Sequence, residues 1–202
     1  MRRGRLAAAT VLLAACGTGP DGLFLAAGGR YTFAASVQHS YDCDPGNPNL
    51  VEPRDDALCG PATGVIPVSS DTVRADITLD RYTPSRVCDM EGCRDDTSHG
   101  RFLGLATAQW IHCAGTDCSE GAAEQTDVEI SHATTYCTGG MQPVWCVGYD
   151  GRTIVHVTIQ FPGQPAFFRG VPQGREIRGY GIFIFTFSTE DRRSHQAEWV
   201  LR

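Results

Sequence analysis

Apolar and polar residues alternate along most of this chain. In 72–82, Val73, Ala75, Ile77 and Leu79 fall on one side, and Arg74, Asp76, Thr78 and Asp80 on the other. The stretch 30–41 sets Tyr31, Phe33, Ala35 and Val37 against Thr32, Ser36 and Gln38. Segment 101–112 is mixed, with Phe102, Ala106 and Trp110 opposite Leu103, Leu105 and Ile111. Alternation returns in 127–136, 153–161 and 194–202, while 143–149 is short and 175–188 is apolar on both sides. A period of two places successive side chains on opposite faces of a pleated strand, and the 3.6-residue period of an amphipathic helix is almost absent. These segments predict eight strands. Asp150-Gly151 between two of them is a two-residue hairpin signal. With no helical crossover, neighbouring strands are expected to be antiparallel. The predicted fold is all-β, an eight-stranded antiparallel up-and-down barrel, with a two-sheet β-sandwich as the alternative.

The first residues follow a different pattern. Arg2, Arg3 and Arg5 precede an apolar run over 6–15, which ends in Leu13-Ala14-Ala15-Cys16. A spanning helix needs about 20 apolar residues, so this run is too short to remain as one. A cationic head before a short apolar core is the layout of a secretion signal. The tetrapeptide resembles the lipobox of bacterial lipoproteins. That resemblance implies cleavage before Cys16, a lipid on the Cys16 sulfur and an acylated new N-terminus. It also implies that the protein is exported and membrane-held through its lipid, at the outer membrane where the host has one, since Gly17 and not an aspartate follows the cysteine. The expected organisation is a signal peptide over 1–15, a lipidated tether over 16–28 and one β domain over 29–202.

Charge narrows the function classes. The formal charge of −6 drops to −9 once the three leader arginines are removed. An acidic domain is a poor nucleic-acid binder, because phosphate contacts need clustered cations. All 17 basic residues are arginine. The absence of lysine removes Schiff-base, phosphate-loop and lysine-base chemistry.

Nine cysteines are present, and setting Cys16 aside leaves an even number. Spacing alone cannot choose among the pairings that Cys43, Cys59, Cys88, Cys93, Cys113, Cys118, Cys137 and Cys146 allow. Turn-like sequence between near neighbours, such as Met90-Glu91-Gly92 and Thr138-Gly139-Gly140, suggests Cys43–Cys59, Cys88–Cys93, Cys113–Cys118 and Cys137–Cys146. The rival is a four-thiolate zinc site from Cys88, Cys93, Cys113 and Cys118. An oxidising export compartment favours disulfides.

Gly29-Arg30-Tyr31 opens the first strand and Trp199-Val200-Leu201-Arg202 ends the last. This resembles the lipocalin-like (calycin) pattern, in which an arginine from the last strand covers an aromatic residue of the first. Tyr31 stands where that family usually has tryptophan. Arg202 is the candidate cover, with Arg192 and Arg193 in competition. Along an eight-strand meander, His39, His112 and His195 fall near one end with inward parity. They define a possible ligand mouth with Trp110 and Trp199. His132 shares a face with Val128 and Ile130, and Ser98-His99 is an adjacent hydroxyl–imidazole pair. Clustered imidazoles can bind a transition metal or haem, or hydrogen-bond a polar ligand.

The sequence therefore predicts a non-catalytic, lipid-anchored envelope module that binds a small apolar ligand or another envelope protein. It is expected to need no cofactor or resident metal and to bind no nucleic acid. The alternative is an envelope metalloprotein or enzyme that uses the inward histidines.

Overall fold

A computed structural model describes residues 23–46, 53–134, 152–161, 164–183 and 192–202. Nine strands and one short helix make up these segments. They are β1 (Arg30–Asp42), α1 (Asp56–Cys59), β2 (Val65–Asp89), β3 (Gly92–Ala114), β4 (Asp117–Glu120), β5 (Glu124–Thr134), β6 (Thr153–Phe161), β7 (Gln164–Gln173), β8 (Glu176–Phe183) and β9 (Arg193–Leu201). Eight of them form an antiparallel ring, β1-β2-β3-β5-β6-β7-β8-β9, which closes where β9 pairs with β1. The small β4 flanks β3 outside the ring. Closure leaves the eight ring strands a partner on both sides, which removes the open edges that would otherwise template aggregation.

Alternation explains the wall. In β1, Tyr31, Phe33, Ala35 and Val37 are buried while their neighbours are exposed. Across the interior, Val73, Ala75, Ile77 and Leu79 of β2 meet Phe102 and Ala106 of β3, Val128 and Ile130 of β5, Val157 and Ile159 of β6 and Phe168 of β7. Phe33 lies between Phe168 and Trp199, with ring centroids 4.7 and 5.6 Å away. The two ring openings are a lower one, where β1 starts, and an upper one, where β1 ends. Leu25 seals the lower opening. It is buried in the same core as the strands.

The ring has the expected number of strands but a different membership. The predicted strand 143–149, the Asp150-Gly151 turn and residues 184–188 lie outside the described residues. Among the described residues the ring includes β7, which the alternation did not reveal. β2 and β3 are far longer than 72–82 and 101–112, at 25 and 23 residues. Beyond the lower opening they run on as a hairpin in which, among the described residues, Ser85 to Asp89 pair only with Gly92 to Asp96.

Among the described residues three disulfides are formed: Cys43–Cys59, Cys88–Cys93 and Cys113–Cys118. Cys137 and Cys146 lie outside the described residues. With Cys88 bonded to Cys93 and Cys113 to Cys118, a four-thiolate zinc site from these sulfurs is excluded. Cys43–Cys59 is buried beside Tyr41, with Ile66 and Val68 against it, in a lobe above the upper opening. The N-cap residue Asp55 starts α1 there by accepting from Ala57 and Leu58 N–H.

Candidate functional site

A histidine–aspartate cluster sits at the upper opening. Four strands supply it. β1 contributes His39 on the inward parity of Val37, just before a bulge between His39 and Ser40. β9 contributes His195 directly opposite His39. β2 contributes Asp71, in phase with Val73 and Ala75, and β3 contributes His112 opposite Asp71.

Asp71 is the hub. Its Oδ2 accepts from His39 Nε2 at 2.7 Å and its Oδ1 from His112 Nδ1 at 2.5 Å. The other nitrogen of His39, Nδ1, meets Nδ1 of His195. Tautomers follow from these contacts. An ionised Asp71 only accepts, so both facing nitrogens carry protons. A neutral His39 protonated on Nε2 has a lone pair on Nδ1, and His195 donates to it from its own Nδ1. The chain His195→His39→Asp71←His112 is then satisfied with one proton per contact. Burial pushes the Asp71 carboxyl up, but the hydrogen bonds and charges of His39 and His112 together outweigh it and hold the group below its ordinary value.

Exposure grades the cluster outward. The side chains of Asp71 and His39 are 6% and 14% exposed, whereas that of His112 is 50% exposed. Asp71 thus orients a rim imidazole by its Nδ1–H and leaves Nε2 as that ring's acceptor when neutral. This is the way a buried carboxylate commonly sets the tautomer and basicity of a working histidine. The arrangement can accept a hydrogen bond or a proton at the rim.

The remaining predicted mouth residues divide. Trp110 is half-buried at the same end, edge-on to Phe161 at 4.9 Å. Trp199 is not at the mouth. It is 4% exposed in the interior, and its Nε1 donates to the Arg169 carbonyl at 3.0 Å. The cause is local: Gly170 and Gly179 lack the side chains that would occupy the space of the indole. His132 lies at the lower end, buried, where its Nε2 and the Tyr82 hydroxyl share a hydrogen bond at 3.0 Å. Burial, with the charge of His99 second, holds His132 below the usual imidazole range.

Arg202 places its guanidinium on Glu176 at 2.8 Å, and the ring packed against Tyr31 is that of Phe24, 5.7 Å away. Arg192 is buried at the upper end, where it donates to the Asp42 and Asp44 carbonyls. Ser98 and His99 do touch, Oγ to Nδ1 at 2.8 Å, but Asp96 accepts at the same Nδ1 at 2.9 Å. A relay needs the nucleophile and the carboxylate on opposite ring nitrogens. The three groups instead close a local turn in β3.

Sequence reasoning missed Asp71. Its signal was parity: it continues the inward series of Val73, Ala75 and Ile77 one step past the start assigned to that strand. Among the described residues, no group of three or more His, Cys, Asp or Glu side chains is arranged to hold a metal ion. No described helix is long and apolar enough to cross a membrane. In comparisons with known proteins, no family model, no curated protein and no solved structure matches this chain.

Proposed function

We propose that this protein is an exported, lipid-anchored and disulfide-stapled binding module of the cell envelope, without catalytic activity. The distribution of cysteines carries the reading. Six of the nine are spent in three near-neighbour disulfides, as suits an oxidising compartment, while Cys16 stands behind a secretion-signal layout. The all-β ring is compatible with the lipocalin-like resemblance. A densely packed interior favours binding at the His39–His112–His195 rim over storage of an apolar ligand inside. An envelope protein or a polar ligand suits such a rim, and the acidic balance of the chain disfavours nucleic acid.

The test is partition of full-length protein, expressed in a bacterial host with lipoprotein processing, between detergent and water. Wild type is expected in the detergent phase with an acyl mass on the peptide that begins at Cys16. Cys16→Ser is expected in the aqueous phase. Equal partition of the two proteins overturns the reading.

Convergence of three histidines on one rim keeps a second reading, an envelope metalloprotein or enzyme. Elemental analysis of protein purified without chelator separates the two. Stoichiometric metal that is lost in His39→Ala and His195→Ala favours the second.

A further inference from the structure

The hairpin 85–96 projects from the lower opening, and among the described residues it pairs with no strand outside itself. Every residue from Ser85 to Asp95 whose side chain is described is exposed. A bulge between Pro84 and Ser85 separates it from the ring wall. Asp96 braces that joint by accepting from the Ser98 N–H and hydroxyl. Cys88–Cys93 clamps the two arms next to the turn. Glu91 N–H and Arg94 both bond Asp89, fixing the tip further. At the tip stands Met90, the most exposed of the described large apolar residues. The disulfide-clamped finger holds that side chain out in solvent at its tip.

The N-terminal segment leaves the domain at the same end. Leu25 plugs the lower opening, Gly28 N–H bonds the Leu79 carbonyl, and Leu79 N–H bonds that of Gly29. Seven peptide steps from Leu23 back to Cys16 reach roughly 24 Å when fully extended. The five steps from Ser85 to Met90 project the tip roughly 17 Å along the finger. A lipid on Cys16 therefore keeps the lower end within roughly 24 Å of the bilayer, and the finger bridges that gap whenever the tether is less than about two-thirds extended.

We infer that the hairpin 85–96 is a membrane-facing prop whose Met90 rests in the interfacial layer of the lipid bilayer that carries the Cys16 anchor. This rests on the lipid-anchor reading above. The acyl chains supply the attachment, and the prop supplies orientation. Contact by one methionine is weak alone, yet it is made at the high effective concentration that the anchor creates. The upper rim with His39, Asp71, His112 and His195 then points away from the membrane, where a partner or solute can reach it. The finger carries Arg86 and Arg94 against Asp89, Glu91, Asp95 and Asp96, so it suits a zwitterionic surface better than an anionic one.

The test uses full-length lipidated Met90→Trp in vesicles of phosphatidylethanolamine and phosphatidylcholine. The native emission is subtracted, and quenching is measured with lipids brominated along the acyl chain. The added indole is expected to shift to the blue and to lose emission to the bromines. A vesicle-bound protein whose added indole stays red-shifted and unquenched overturns the prop, including the outcome in which the tip is held by another protein. Wild-type protein supplies a check that needs no substitution. Hydrogen peroxide should convert Met90 to its sulfoxide several-fold more slowly on vesicles than in detergent, and equal rates count against the prop. Unlipidated Cys16→Ser separates the two claims. If it binds vesicles as well as wild type, or if wild type does not bind, the anchor reading fails and takes the prop with it.

Discussion

The indole of Trp199 donates to the main-chain carbonyl of Arg169 at 3.0 Å, through space that two glycines leave open. A Cβ on Gly179 would stand 1.9 Å from that carbonyl oxygen and 2.4 Å from the indole nitrogen. Backbone cannot yield as a flexible side chain can. Gly179→Ala is therefore expected to lose about 3 kcal/mol by overpacking, read as a lower urea midpoint with an unchanged slope. Wild-type stability in this variant would show that the indole does not fill that space.

Asp71 bridges one mostly covered and one rim histidine, so its two bonds should differ in worth. Removing Asp71 leaves the Nε2–H of His39 without that partner in a region that water scarcely enters, at a cost of about 1–3 kcal/mol. His112, half exposed, can turn to solvent. A double-mutant cycle of Asp71→Ala with His39→Ala should give a larger coupling than one with His112→Ala. Equal couplings would contradict the graded cluster.

Stability should respond to acid in two steps. His132, held low chiefly by burial, binds its proton later in the folded protein than in the unfolded chain. Its contribution is complete above pH ~6.5 and is lost as pH falls through the folded value, with a slope of at most ~1.4 kcal/mol per unit. Asp71 is also held below its ordinary value. Its contribution is complete above pH ~4 and disappears beneath that. Denaturant titrations from pH 8 to pH 3 should show a shallower first step in His132→Leu and a reduced second step in Asp71→Asn. An unaltered slope near pH 6 in His132→Leu would refute the first assignment.

The disulfides should rank by loop and by burial. Cys43–Cys59 closes a separation of 16 residues within a buried lobe, whereas Cys88–Cys93 closes 5 in the exposed finger. Loop entropy gives about 3 kcal/mol for the first and about 2 for the second. The second falls further because a finger freed of its clamp can fray in the native state. Replacing both cysteines of each pair by serine should lower the unfolding temperature markedly for the lobe. For the finger, the main change should be faster proteolysis near Met90.

The strands visible in the sequence were those with one wet and one dry face. β1 and β9 alternate cleanly because their inner residues, Val37, Ala197 and Leu201 among them, meet a packed interior. β7 escaped notice because Pro165, Gly170 and Pro172 interrupt a pattern in which Phe167 and Phe168 are adjacent. The finger escaped because a hairpin wet on both faces has no period to detect. The convergence of His39, His112 and His195 could be read from parity and strand direction. The hub Asp71 has the same parity, but it lies one step outside the assigned strand, where an acid looks like a solvated loop charge until its partners are in place. Trp199 was misplaced because sequence parity gives the face but not the depth, and only the missing Cβ atoms of Gly170 and Gly179 explain how far inside it sits.

The seam between β1 and β9 joins residues far apart in the chain, His39 and His195 among them at 156 positions. A ribosome or an export pore delivers the chain from its first residue to its last, so β1 must wait with one flank bare until the final segment emerges. Few native pairings in this molecule could be slower to form, and the half-made sheet is the species that a chaperone would have to shield.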